Sequence, residues 1–206
     1  MESKKMVKKY TPEQIQEMDK KADLAVGTMM AAGVGIGLAP VLLDMVTVSA
    51  VMGAGVIAVS ACYGQQLTKD DAAELIKQFF KAAGTSYSIM FMGVKITNSL
   101  LKSTPVTYLP FMIADAVVCG AASFAVGITA KNFFHRRAQG KKVTPEEMKQ
   151  WMKEGNEQGK ALAKKSAMEQ MKKKKAEKKA AEAEEKAVAA QAQTDSAQEE
   201  AANAEA

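Results

Sequence analysis

The sequence predicts an all-α protein: two apolar helical hairpins, about four helices inserted in a membrane, joined by an amphipathic helix and followed by a long solvated C-terminal helix. Three observations lead there. Long stretches of the 206-residue chain carry almost no charge, prolines divide those stretches, and the charges that exist are segregated along the chain.

Between Leu24 and Thr68 the only side chain charged at neutral pH is Asp44, and between Ser103 and Ala130 the only one is Asp115. A membrane span needs roughly 20 predominantly apolar residues, and the first run is long enough for two. Pro40 falls near its middle, where it removes an amide donor and disfavours helix in Ala39. The expected first hairpin is therefore Asp19 to Leu38 folded back on Val41 to Tyr63.

Thr68 then precedes Asp70, Asp71 and Glu74, an N-cap with acids in the first turn. Leu75, Ile76, Phe79 and Phe80 share one face of the helix this opens, which marks an amphipathic helix closing near Gly84. A third apolar helix is expected over Ser86 to Leu101, interrupted by Lys95. A loop containing Pro105 and Pro110 leads to a fourth, Phe111 to Phe134.

The two halves, 24–84 and 85–137, share an order of signals: a Pro, then Asp44 or Asp115, then a helix of small residues ending in aromatics. A duplication and a coincidence of common capping patterns both account for this.

Beyond Phe134 the composition changes. Residues 131–179 carry sixteen Lys or Arg against six acids, whereas 180–206 carry one Lys against seven acids, so the pI near 9.0 is a local property. Thr144-Pro145-Glu146-Glu147 combines an N-cap, a Pro at the first helical position and a capping-box acid. The expected division is a charged segment at 1–23, an apolar hairpin domain at 24–137, a basic helical arm at 138–179 and an acidic, Ala-rich disordered tail at 180–206.

Small residues recur four apart in the apolar helices, among them Gly33 with Gly37, Ala116 with Gly120, and Ser123 with Gly127. Gly33, Gly37, Gly120 and Gly127 are the expected packing positions, because small side chains let helix backbones approach where burial from water no longer drives association. Closely packed bundles in water use the same residues. Bases flank the first and last apolar helices, while the expected turns at 41–43 and 103–110 have none. By the positive-inside bias both termini face the cytoplasm, on the inner or an internal membrane, with two or four spans. The N-terminal charged stretch is too long and too acidic for the start of a secretory signal.

Asp44 and Asp115 are acids within apolar runs. Each follows a Pro at an expected helix start, where a carboxylate accepts amide hydrogens and meets the favourable end of the helix dipole. Ion or proton handling is the other reading. A basic patch is expected from Arg136, Arg137, Lys141 and Lys142 together with Lys172, Lys173, Lys174 and Lys175, suited by charge to anionic lipid. No aromatics are interleaved with these bases, so no specific nucleic-acid partner is expected.

Cys62 and Cys119 sit in apolar runs, and one His in the whole chain leaves no metal-ligand spacing. The Gly33-Val34-Gly35 stretch lacks a preceding strand, and the segment from Gly155 to Ala161 lacks the length and hydroxyl of a phosphate loop. No catalytic residue, cofactor, metal or small-molecule substrate is expected, and hence no enzyme.

Pro40 with Asp44, the helix ending Ala61-Cys62-Tyr63-Gly64, the helix from Leu67 to Ala83 and the block from Ile113 to Phe134 resemble the domain of unknown function 697, the YcjF-like helical domain, over residues 28–137. The resemblance implies an all-helical, membrane-associated protein of a kind often fused to or encoded beside a GTPase. This chain lacks the Gln that commonly follows the motif Asp in the second helix, and no catalytic residue carries over.

The leading expectation is a non-enzymatic membrane anchor or scaffold that associates with lipid, self-associates through its hairpins and recruits a partner through its basic cytoplasmic arm. A soluble helical domain regulating a separate GTPase is the alternative, and a small transporter or channel around Asp44 and Asp115 a further one.

Overall fold

The computed structural model describes residues 10–39, 45–84 and 108–204. Among them are five α-helices and no strand: α1 Pro12–Gly37, α2 Met45–Cys62, α3 Lys69–Ala83, α4 Tyr108–Ala138 and α5 Pro145–Ala204. The all-α class expected from the sequence is the one observed.

Helix α1 begins at Pro12, well before the expected Asp19. The cause is a capping box: Gln14 N–H donates to Thr11 Oγ1 at 3.3 Å, and Thr11 N–H donates to Gln14 Oε1 at 2.9 Å. Each satisfies an amide that the first turn leaves without a helical partner. Helix α2 runs antiparallel to α1, since Asp19 meets Tyr63 just beyond the end of α2 while Met29 meets Gly55 in its middle. Pro40 and Asp44, between them, lie outside the described residues.

Gly64, at φ 67°, ends α2 in the left-handed region, and Gln65 N–H returns to Ser60 O at 3.0 Å. Thr68 caps α3, with Asp71 completing a second box. On α3 Ala72, Leu75 and Phe79 are buried, and Ile76 and Phe80 pack against the core, as the stripe predicts.

The expected helix at 86–101, and with it the second hairpin, lies outside the described residues. Helix α4 starts at Tyr108 rather than Phe111. Pro110 is therefore inside the first helical turn, where the missing amide would have had no partner in any case. The same shift places Asp115 two turns into α4, 3% exposed, so it is not the N-cap the sequence suggests.

Helix α4 is the centre of the bundle. It lies antiparallel to α1 along its length, from Gly37 beside Ala116 to Asp23 beside Lys131. Tyr63 and Phe134 rings stack at 6.3 Å, and Phe133 meets Phe79 at 6.0 Å, joining α2, α3 and α4 in one aromatic cluster. Among the described residues only Met112–Ala138 is long and apolar enough to cross a membrane; its apolar 18-residue window has mean hydropathy 1.8 and is 67% buried within the bundle. Of the several inserted helices expected, one of sufficient length is found among the described residues.

The predicted N-cap of α5 is present: Glu147 N–H donates to Thr144 Oγ1 at 3.2 Å and Thr144 N–H to Glu147 Oε2 at 3.0 Å. The predicted solvation of this helix is corrected over its first part. Met148, Met152, Gly155, Gly159, Ala163 and Ala167 are buried, recurring three or four residues apart. A Cβ on Gly155 would lie 2.8 Å from Ala125 Cα, and one on Gly159 would lie 3.0 Å from Ala121 Cα, so α5 here rests directly on the α4 backbone.

The chain divides into two compact units, Met1–Ala167 and Met168–Ala206. The second is helical through Ala204, and its side chains from Lys172 to Glu184 are exposed. A disordered acidic tail is expected there from composition, but Ala, Glu, Lys and Gln are also the strongest helix formers, and the backbone follows that preference.

Candidate functional site

Among the described residues a polar cluster joins α1, the end of α2 and α4, and it contains the chain's single histidine. Asp19 Oδ1 accepts from the Tyr63 hydroxyl at 2.5 Å. His135 Nδ1 lies 2.9 Å from Asp19 Oδ1 and 3.1 Å from Oδ2, and its Nε2 lies 2.7 Å from Gln139 Nε2. Lys131 donates to Asp23 Oδ1 at 2.5 Å one turn away, and the Tyr10 hydroxyl reaches Tyr63 O at 3.4 Å.

These contacts assign the tautomer. An amide nitrogen donates, so Nε2 accepts from Gln139 and the proton of a neutral ring sits on Nδ1, donating to Asp19. Each polar group of the chain Tyr63–Asp19–His135–Gln139 then has a partner. Burial, and secondarily the Asp19 carboxylate, push the Tyr63 phenol well above its ordinary range. An Asp-His pair also orients catalytic bases, but here the Nε2 that would face a nucleophile is occupied by Gln139. The arrangement is a latch between helices.

Nothing in the sequence brought these residues together, because Asp19 and His135 are 116 positions apart. The available signal was the lone His in the last turn of a long apolar helix, with Gln139 four residues on.

The basic residues divide into separate groups. Arg136 pairs with Glu147, whose carboxyl is held below its ordinary range chiefly by the Thr144 amide and further by Arg136. Arg137 lies over the Phe133 ring at 5.6 Å, and Lys141 and Lys142 are exposed in the turn before α5, which Gly140 makes at φ 73°. Lys172, Lys173, Lys174 and Lys175 are exposed in the second unit.

Asp44 lies outside the described residues. Asp115 is buried on α4, where Cys119 Sγ donates to its Oδ1 at 3.7 Å. Gly33 faces Ser123 and the Cys119 carbonyl, Gly37 faces the backbone of Asp115 and Ala116, Gly120 lies between Val34 and Ala163, and Gly127 meets Val26 and Met29. Ser123 Oγ is buried with no hydrogen-bond partner. No group of three His, Cys, Asp or Glu able to hold a metal occurs among the described residues.

A helical bundle organised around one long apolar helix, with a polar latch between helices, defines the class. The chain belongs to the family described as domain of unknown function 697, whose family model matches residues 1–161. That match reaches beyond the residues carrying the resemblance and takes in Gly155 and Gly159, where α5 packs on α4. No curated protein and no solved structure matches the chain.

Proposed function

We propose that this protein is a non-enzymatic, membrane-associated helical scaffold. Its apolar helices engage lipid, with the basic residues on the cytoplasmic side, and its Lys-rich arm recruits a protein partner.

The supporting observation is a contrast within the chain. Helix α3 and the second unit present charged outward faces, including Glu74, Lys77 and Lys172 to Lys175. The outward positions of α1 beyond Asp23 and of α2 instead include Leu24, 74% exposed, with Thr28, Ala32, Ser49, Ala50, Ala54, Ala58 and Ala61, and none is charged. Water-facing helices ordinarily carry their charges outward, so uncharged outward faces suit a lipid environment. Fractionation of expressing cells is the test. The scaffold reading expects the protein in membranes after carbonate or high-salt washing and its release by detergent; recovery as a monodisperse species without detergent overturns it.

The burial of most of the apolar window within Met112–Ala138 favours a second reading, a helical regulatory domain acting with a separate GTPase, because core helices of water-soluble bundles have this composition too. It expects a compact, detergent-free particle that co-purifies with a nucleotide-hydrolysing enzyme.

A further inference from the structure

From Ala176 to Ala204 the second unit repeats alternately four and three residues apart, and every position of that repeat is Ala except Thr194. The backbone is helical over this whole range. A four-three repeat keeps one seam facing a partner helix along its length, and alanine at the seam lets two backbones approach closely. The same unit is electrostatically divided: residues 168–179 carry six Lys against two Glu, and 180–206 carry one Lys against seven acids.

That division is unfavourable in a helix on its own. Acids belong near a helix N-terminus and bases near its C-terminus, and this helix carries Glu199 and Glu200 near its end with its bases upstream. A straight helix cannot bring its two halves together. A parallel neighbour of the same sequence sets bases against bases, whereas an antiparallel neighbour sets the basic segment of each against the acidic segment of the other and opposes the two dipoles.

We infer that the partner of this arm is a second copy of the chain, bound as an antiparallel two-helix pair along the alanine seam with the basic and acidic segments matched across a two-fold axis. This deepens the recruiting role proposed for the arm by naming its partner. It does not depend on whether the bundle enters lipid.

The test uses the full chain in mild detergent, with self-association followed by sedimentation. Two variants are made: one with Lys172→Glu, Lys173→Glu, Lys174→Glu and Lys175→Glu, in which both segments are net acidic, and one with Glu182→Lys, Glu184→Lys, Glu185→Lys, Glu199→Lys and Glu200→Lys, in which both are net basic. The wild type is expected to self-associate at low salt and to weaken by about tenfold or more at high salt. Each variant alone is expected to lose self-association, and an equimolar mixture of the two to recover it as a heterodimer. A wild type that stays monomeric at low salt overturns the inference. So do variants that self-associate as the wild type does, and so does a mixture that stays dissociated. Retention of either variant in washed membranes leaves the scaffold reading standing, so the two failures are distinguishable.

Discussion

Asp19 of α1 and His135 of α4 are 116 residues apart in sequence and meet at 2.9 Å, with side chains 25% and 31% exposed. Their contact, with Tyr63 on the same carboxylate, holds the N-terminal half of α1 against the C-terminal turns of α4. Deleting the shared acceptor strands two donors at once. Asp19→Ala is therefore expected to destabilise the bundle by about 2–4 kcal/mol, and Tyr63→Phe, which removes one donor and its bond together, by about 1 kcal/mol. Thermal unfolding followed by circular dichroism gives the order; equal losses would count against a shared latch.

Tyr63 also makes stability depend on alkaline pH. Its ordinary value is 10.0, and burial with the neighbouring Asp19 raises it in the folded state. A raised value means the folded state holds the proton more tightly, so this contribution is complete below about pH 10 and is lost as the pH climbs from there toward the folded value. Unfolding measured across pH 8 to 12 should fall less steeply for Tyr63→Phe than for the wild type.

At the acid end, Glu147 behaves oppositely. Its carboxyl is lowered from 4.5 by the Thr144 amide and by Arg136, so its contribution is present above that value and disappears as the pH falls through the folded one. Trp151, half-buried one turn along α5, reports on the start of that helix. Its emission should shift on acidification below pH 4.5, and Glu147→Gln should already show part of that shift at neutral pH.

Two glycines separate close packing from helix propensity. At Gly155 a Cβ would press on the α4 backbone at Ala125, whereas at Gly27 nothing lies within 4 Å. Gly155→Ala is expected to cost about 1–3 kcal/mol through overpacking. Gly27→Ala is expected to gain about 0.5–1 kcal/mol, since alanine is the better helix former. If both variants shifted the melting temperature alike, α5 would not rest on α4 as described.

Met1–Ala167 is a compact unit by itself. A chain ending at Ala167 should therefore unfold at a melting temperature within about 2 °C of the full chain, since changes remote from the core are worth only a few tenths of a kcal/mol. A loss of cooperative unfolding in the truncated chain would show that the arm supports the bundle.

By itself the sequence determined the all-α class, the family, the caps at Thr68 and Thr144 and the aromatic stripe of α3, because each is written in residues within a few positions of one another. The Thr11-Pro12-Glu13-Gln14 box was equally local and equally legible, although the apolar pattern drew the expected start to Asp19. Other features were decided only by tertiary structure. Asp115 reads as a cap from its distance to Pro110, yet becomes a buried mid-helix acid because α4 begins three residues sooner. The seam of Gly155, Gly159, Ala163 and Ala167 is hidden among charged neighbours, and small residues acquire meaning only when a second backbone arrives against them. The Asp19–His135–Tyr63 latch joins three distant segments whose individual residues are ordinary. Hydrogen bonds of that kind depend on which helix faces meet, and that is settled by packing rather than by local preference.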